Sequence, residues 1–199
     1  MRVGLFGGSF DPIHCGHVEP VKAARRSLGL ERVLYLPTAI PPHKPGRRLA
    51  APLARYAMVE LALLHEEGLY ASPHELTLDR PAYTIETLEH FQRLMPAAEL
   101  YLLIGSDSYL ELPQWHRWRD VAAAARLVVL PRPGWELDGP APPALAELAA
   151  AGRVHVMEQR PCEVSSTRLR AILARGERPP AGWMPDLVID FACKYSLYR

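Results

Sequence analysis

The stretch GGSFDPIHCGH, residues 7–17, places two adjacent glycines and two histidines three residues apart directly behind the apolar opening MRVGLF. Gly7 and Gly8 let backbone amides come close to a ligand, and a helix starting next adds free N–H groups and its positive dipole end. That combination is an anion site by geometry. His14 and His17, spaced i, i+3 around Gly16, can face one side of the turn and donate hydrogen bonds to phosphate oxygens. Pro20 falls in the first turn of this helix, where a missing amide removes no intrahelical bond. Taken alone, a Gly-Gly pair is better explained as a tight strand-to-helix turn, and the rest of the string and the other motifs decide between the two.

The second motif is CEVSSTRLR, residues 162–170. Ser165, Ser166 and Thr167 precede the apolar-periodic LRAIL, which makes them N-cap candidates and, at a helix N-terminus, donors to a phosphate tail. PPHK, residues 41–44, adds His43 and Lys44 in a loop that also carries Arg47 and Arg48, although charge runs are usually solvated loops. In LLIGSDSYLELPQWHRW a strand-like run ends at Gly105 and Asp107, followed by Trp115 and Trp118 on a polar, Pro-interrupted segment. An acidic residue just past a strand can hydrogen-bond a ribose, and a nearby aromatic can stack on a flat heterocycle or pack in the core. RPAYTIETL contributes Tyr83 and Thr84; Thr84 reads as the cap of its helix, with Thr87 where a capping box wants Glu or Gln.

These motifs need elements to position them. RVGLF, RVLYL, the weaker LYASP, ELYLLIG, ARLVVL and RVHVM read as strands, several apolar on both faces as in a buried parallel sheet. Helical patterns lie between them, at about 16–28, 51–66, 84–94, 115–125 and 143–151, with further helices after Ser165 and Pro185. The alternation predicts an α/β fold: a doubly wound, Rossmann-like, mainly parallel sheet with helices on both faces and a small C-terminal helical part, about 165–199, of one domain spanning 1–199. Ligands then bind beyond the carboxyl ends of the strands. The Pro-rich PTAIPPHKPGRR and LPRPGWELDGPAPP read as loops over the sheet edge.

The chain of 199 residues has 23 Lys and Arg against 22 Asp and Glu, which speaks against nucleic acid or an acidic membrane as partner, so any anion site must be local. Without a signal-peptide run or a membrane-length segment it reads as cytoplasmic. Cys15, Cys162 and Cys193 are odd in number, far apart in sequence and lack a CxxC pair, so neither a disulfide framework nor a zinc site is indicated.

GGSFDPIHCGH resembles the N-terminal signature of the nucleotidylyltransferase superfamily, with His14, Gly16 and His17 in its HxGH element. SSTRLR resembles the second signature, SSTxxR, with Arg170 at the final arginine. Superfamily members with this look include adenylyltransferases acting on nicotinate nucleotide, nicotinamide nucleotide or pantetheine phosphate, and cytidylyltransferases acting on polyol phosphates. IGSD (104–107), LPQWHRW (112–118) and AYT (82–84) are similar to the nicotinate-nucleotide adenylyltransferase pattern. Ser9, Ala82 and Leu169 depart from it, standing where Thr, Ser and Ile are frequent; only Ala82 loses a polar contact.

The resemblance implies transfer of AMP from ATP to nicotinate mononucleotide, giving nicotinate adenine dinucleotide and pyrophosphate, with magnesium carried mainly by the phosphates and no protein cage for it. It makes His14, His17, Lys44 and Arg170 the catalytic set. ATP would meet Gly7, Gly8, Ser9, Phe10, His14, Gly16 and His17, then Gly105 and Asp107, then Ser165, Ser166, Thr167 and Arg170. The acceptor would meet Ser9, Lys44, Tyr83, Thr84, Asp107 and Trp115. A nicotinamide mononucleotide or phosphopantetheine acceptor is the alternative within enzymes. A non-catalytic nucleotide sensor is the alternative outside them, and the presence of both His17 and Arg170 speaks against it. A homo-oligomer stays open, as does the use of the C-terminal aromatic residues.

Overall fold

The structure, a computed structural model, describes residues 1–39, 49–78, 80–135, 137, 142–158 and 162–199. Six strands form one wholly parallel sheet: β1 (Arg2–Gly8), β2 (Arg32–Pro37), β3 (Leu69–Ala71), β4 (Glu99–Gly105), β5 (Arg126–Leu130) and β6 (Val154–Val156), in the order β3-β2-β1-β4-β5-β6. The chain winds outward from β1 to β3, then crosses to β4 on the other side of β1. The order reverses between β1 and β4, and their carboxyl ends part there to leave a crevice.

Strand periodicity sorts the two cores. Phe6, Tyr35, Tyr101, Leu103 and Val128 face one side, where they pack with helices α1 (Cys15–Leu28), α2 (Pro52–Leu63), α7 (Ser166–Ala174) and α8 (Asp186–Lys194). Val3, Leu5, Leu100, Leu102 and Leu127 face the other, against α3 (Thr84–Leu94), α4 (Ser106–Glu111), α5 (Trp118–Ala124) and α6 (Pro143–Ala150). Helices on both faces of a parallel sheet are the doubly wound architecture that the alternating pattern implies. Among the described residues no helix is long and apolar enough to cross a membrane.

Three local expectations change. The helix expected over 115–125 begins only at Trp118, because Leu112–Gln114 forms a 3-10 turn and Arg117 adopts a left-handed backbone, φ 50°, that no right-handed helix can contain. Ser106–Glu111, to which the sequence pattern assigns no element, forms α4 straight off the end of β4. Pro20 lies inside α1, past the first turn, since the helix already starts at Cys15. Its missing amide is one the carbonyl of Gly16 would otherwise have received.

Candidate active site

The loop after β1 is shaped by its own residues. Phe10 takes a left-handed backbone, φ 45°, and Asp11–Pro12 is a cis peptide. His14 caps α1 by accepting the Gly16 amide on Nδ1 at 3.1 Å. That bond fixes the tautomer: the lone pair is on Nδ1, so neutral His14 carries its proton on Nε2. Burial, aided by the Arg132 guanidinium, pushes the His14 pKa down to about 4, so at neutral pH it acts as a neutral donor. The His17 ring lies 3.9 Å from it, packed on Phe10 at 5.2 Å. The backbone of His17 is fixed by Tyr35, whose hydroxyl donates to its carbonyl at 3.0 Å. A side chain at Gly16 would press on the His14 ring and on Cys162, which explains the glycine between the histidines.

α7 brings the second signature against this loop. Ser165 caps the helix by accepting from the Arg168 amide, and Ser166 Oγ donates to the Pro12 carbonyl at 3.0 Å. Arg170 donates to the Asp11 carbonyl at 2.6 Å and to Thr167 Oγ1 at 3.1 Å, with the Asp11 carboxylate 3.5 Å away. The two signatures, more than 150 residues apart in sequence, are thus bonded to each other as well as facing a common space.

That space is a cavity of about 590 Å³ at the switch point. Gly7, Gly8, Ser9, Phe10, His14, Gly16 and His17 line it from the first loop, and Ser165, Ser166, Thr167 and Arg170 from the second. Gly105, Asp107, Thr84 and Trp115 line the rest. Tyr83 is the N-cap residue of α3, with Glu86 rather than Thr87 completing the cap; its exposed ring is tilted against His116 at 4.4 Å and is not among the residues lining the cavity. Its amide donates to the Glu86 carboxylate, so position 83, one before the expected Thr84, is where the helical hydrogen bonding starts. Lys44, with His43, Arg47 and Arg48, lies outside the described residues.

Several residues escape the motif reading. Arg132, from the Pro-rich loop after β5, lines the cavity and pairs with Asp107 at 2.9 Å. Gly105 permits this pair, because a Cβ there would collide with Asp107 Oδ1 and stand 2.5 Å from Arg132 Nε. Arg55 is wholly buried and donates to the carbonyls of Ser9 (2.7 Å), Thr38 (2.7 Å), Ala39 (3.3 Å) and Ala50 (3.0 Å). Asp11, also buried, accepts from the Ala50 amide and from the Tyr198 hydroxyl at 3.0 Å. The signal for Arg55 was its register, since it shares one helix face with Met58, Val59 and Ala62 where an apolar residue belongs. Asp11 and Tyr198 had no such signal. Cys15 and Cys162, remote in sequence, bring their sulfurs to 3.3 Å, and burial and the Cys162 contact push the Cys15 thiol up to about 12.

Glu75, in a 3-10 turn at His74–Thr77, is a further buried group lining the cavity. Its Oε1 accepts from Thr87 Oγ1 at 3.0 Å, while Oε2 has no hydrogen-bond partner among the described residues. Burial outweighs the Thr87 bond and pushes its pKa up to about 7.

Residues 5–172 match the model of the cytidylyltransferase-like family. A probable nicotinate-nucleotide adenylyltransferase of Aeromonas hydrophila is 40% identical over 211 residues, covering 99% of this chain and 97% of that protein. The chain belongs to the nicotinate-nucleotide adenylyltransferase family. Another member, the probable nicotinate-nucleotide adenylyltransferase of Pseudomonas aeruginosa, is 37% identical over 212 residues, covering 100% of this chain and 97% of the relative. The family fold is shared across much greater divergence: the Plasmodium falciparum nicotinic acid mononucleotide adenylyltransferase complexed with NaAD superposes with a TM-score of 0.80 at 16% identity, over 99% of this chain and 97% of that one.

Proposed function

We propose that the protein transfers the adenylyl group of ATP to nicotinate mononucleotide, forming nicotinate adenine dinucleotide and pyrophosphate in NAD biosynthesis. The observation that carries this reading is the meeting of the two signatures and Trp115 around one switch-point cavity, in a chain whose relatives bear that enzyme's name. The acceptor phosphate is ionised at neutral pH, so its oxygen attacks the α-phosphorus in line without a general base. The P–O bond to the β-phosphate breaks and pyrophosphate leaves with that electron pair. The chain's work is positioning and charge neutralisation. The amides after Gly7, the Nε2–H of His14, His17 and the α7 N-terminus with Ser166 and Thr167 face the phosphates. Arg170 adds a cation there while bracing Asp11.

Among the described residues no three His, Cys, Asp or Glu side chains converge, whereas donors to phosphate do, so the residues fit a magnesium ion that arrives on the triphosphate. Bound there, it would neutralise developing charge on the phosphates. Asp107, held by Arg132, faces the ribose, and Trp115 packs on the acceptor ring.

Purified protein given ATP and magnesium with nicotinate mononucleotide, nicotinamide mononucleotide and phosphopantetheine in parallel is expected to release pyrophosphate fastest with the first. A faster rate with either of the others overturns the acceptor, and nucleotide binding with no pyrophosphate overturns the reaction. Gly105→Ala, which drives Asp107 and Arg132 from their places, is expected to weaken ATP binding by about tenfold, the worth of one charge-assisted hydrogen bond. Equilibrium titration with ATP checks it.

A further inference from the structure

The acceptor end of the cavity can be traced by contacts. Trp115 adjoins His116, whose ring lies on Tyr83; Tyr83 precedes Thr84, and one turn on Thr87 holds Glu75. These residues approach the crevice with the α3 face of the sheet, whereas the histidines and α7 come from the other face. From the segment between β3 and α3, the polar side chains lining this end are Glu75, Thr84 and Thr87. Glu75 is the acid among them, 6% exposed, and its Oε2 has no hydrogen-bond partner among the described residues. A buried oxygen without a partner costs free energy unless a ligand supplies one.

We propose that Glu75 is a specificity-determining residue of the acceptor site, presenting Oε2 as a carboxylic acid O–H donor to the carboxylate on the acceptor's ring. The inference rests on the nicotinate acceptor argued above. The neighbouring charges leave that proton in place. His74, on the same turn, stacks on His90 of α3 at 3.7 Å, and burial lowers its own proton affinity. Glu86 of α3 is turned to Arg80, and β2 offers Leu36 on this side. Asp107 of α4 is paired with Arg132, and Glu111 is the other α4 carboxylate lining the cavity. No cation pairs with Glu75 among the described residues. A pKa pushed up to about 7 therefore leaves the acid form ready below neutrality, and a bound carboxylate draws the proton tighter. Above that pH the ionised side chain repels the acceptor's carboxylate but still accepts from a carboxamide.

The test is the pH profile of KM for nicotinate and nicotinamide mononucleotides, measured at saturating ATP with the wild type and Glu75→Gln. The amide of this variant keeps the Thr87 bond and supplies an N–H donor that does not titrate. The wild-type KM for the nicotinate acceptor is expected to rise about tenfold per unit above the Glu75 pKa of about 7, with no such rise for the nicotinamide acceptor. Glu75→Gln is expected to lose that difference and to match or better the wild type at about one pH unit above that pKa. The acceptor's own phosphate titrates near pH 6 and affects all four profiles alike. Parallel nicotinate and nicotinamide profiles in the wild type overturn the proposal without needing the variant. So does a variant whose only change is a lower Tm. Preference of the wild type for phosphopantetheine overturns the acceptor reading itself, and this proposal with it.

Discussion

His17→Ala is expected to lower kcat by about a hundredfold to a thousandfold while ATP binding weakens by no more than about fivefold, because in the mechanism proposed above it removes a donor aimed at charge that builds only in the transition state. The geometry supports that asymmetry. His17 sits on the first turn of α1, lines the cavity, and is held by Phe10 on its ring and Tyr35 on its carbonyl, so it is placed before substrate arrives. Ground-state binding of the triphosphate has the loop amides and the α7 N-terminus as well. Steady-state turnover and equilibrium ATP titration on the same preparation check the split. A variant that turns over at near wild-type rate removes His17 from the mechanism.

Arg55→Met is expected to cost about 3–5 kcal/mol of stability, the range for removing one partner from a buried charged network. For a chain of this size that lowers Tm by roughly 6–20 °C. Four carbonyls lose their donor at once, and buried Asp11 loses one of the two guanidinium groups near it. Arg55→Lys is expected to recover only part, since an ammonium group lacks the planar fork that reaches carbonyls on three sides. Activity at a temperature where Arg55→Met remains folded is expected to fall too, because Ser9, Thr38 and Ala50 are tied together through this one side chain. Thermal unfolding and urea titration read the first effect, and pyrophosphate release the second.

The parts of the site legible in the sequence are those whose residues are neighbours in the chain. A strand end, glycines and a helix start stand together in GGSFDPIHCGH, and hydroxyls at a helix start in SSTRLR, so each motif could be read locally, and both line the one cavity. The sheet was legible for a similar reason: strands buried on both faces must be apolar at nearly every position, and β1, β4 and β5 are. What pattern reading missed depends on distance in the chain. Asp11, Arg55 and Tyr198 come from three separate segments; Asp11 and Tyr198 are ordinary residues in their own neighbourhoods, and the register of Arg55 marks it as buried without saying what it would hold. Glu75 and Arg132 became cavity residues only when the sheet put the loops after β3 and β5 around one crevice. Tyr83 packs on His116 while its neighbour Thr84 lines the cavity, because adjacency in sequence does not fix which way a capping side chain turns. The cysteine spacing was no guide to the 3.3 Å approach of Cys15 and Cys162.

The ties on the first loop also set an order of assembly. β1 is a central strand, yet one of its neighbours is β4, and the loop behind it is bonded to Arg55, Arg170, the Trp183 carbonyl and Tyr198. The signature occupies residues 7–17, and one of its anchors, Tyr198, lies 187 residues beyond Asp11 in the chain. Contacts of such long sequence separation form late, after the loops between them have closed. The loop behind β1 is therefore among the last places in the molecule to become rigid, and until the segment carrying Trp183 and Tyr198 docks the chain carries that loop's residues without their final shape.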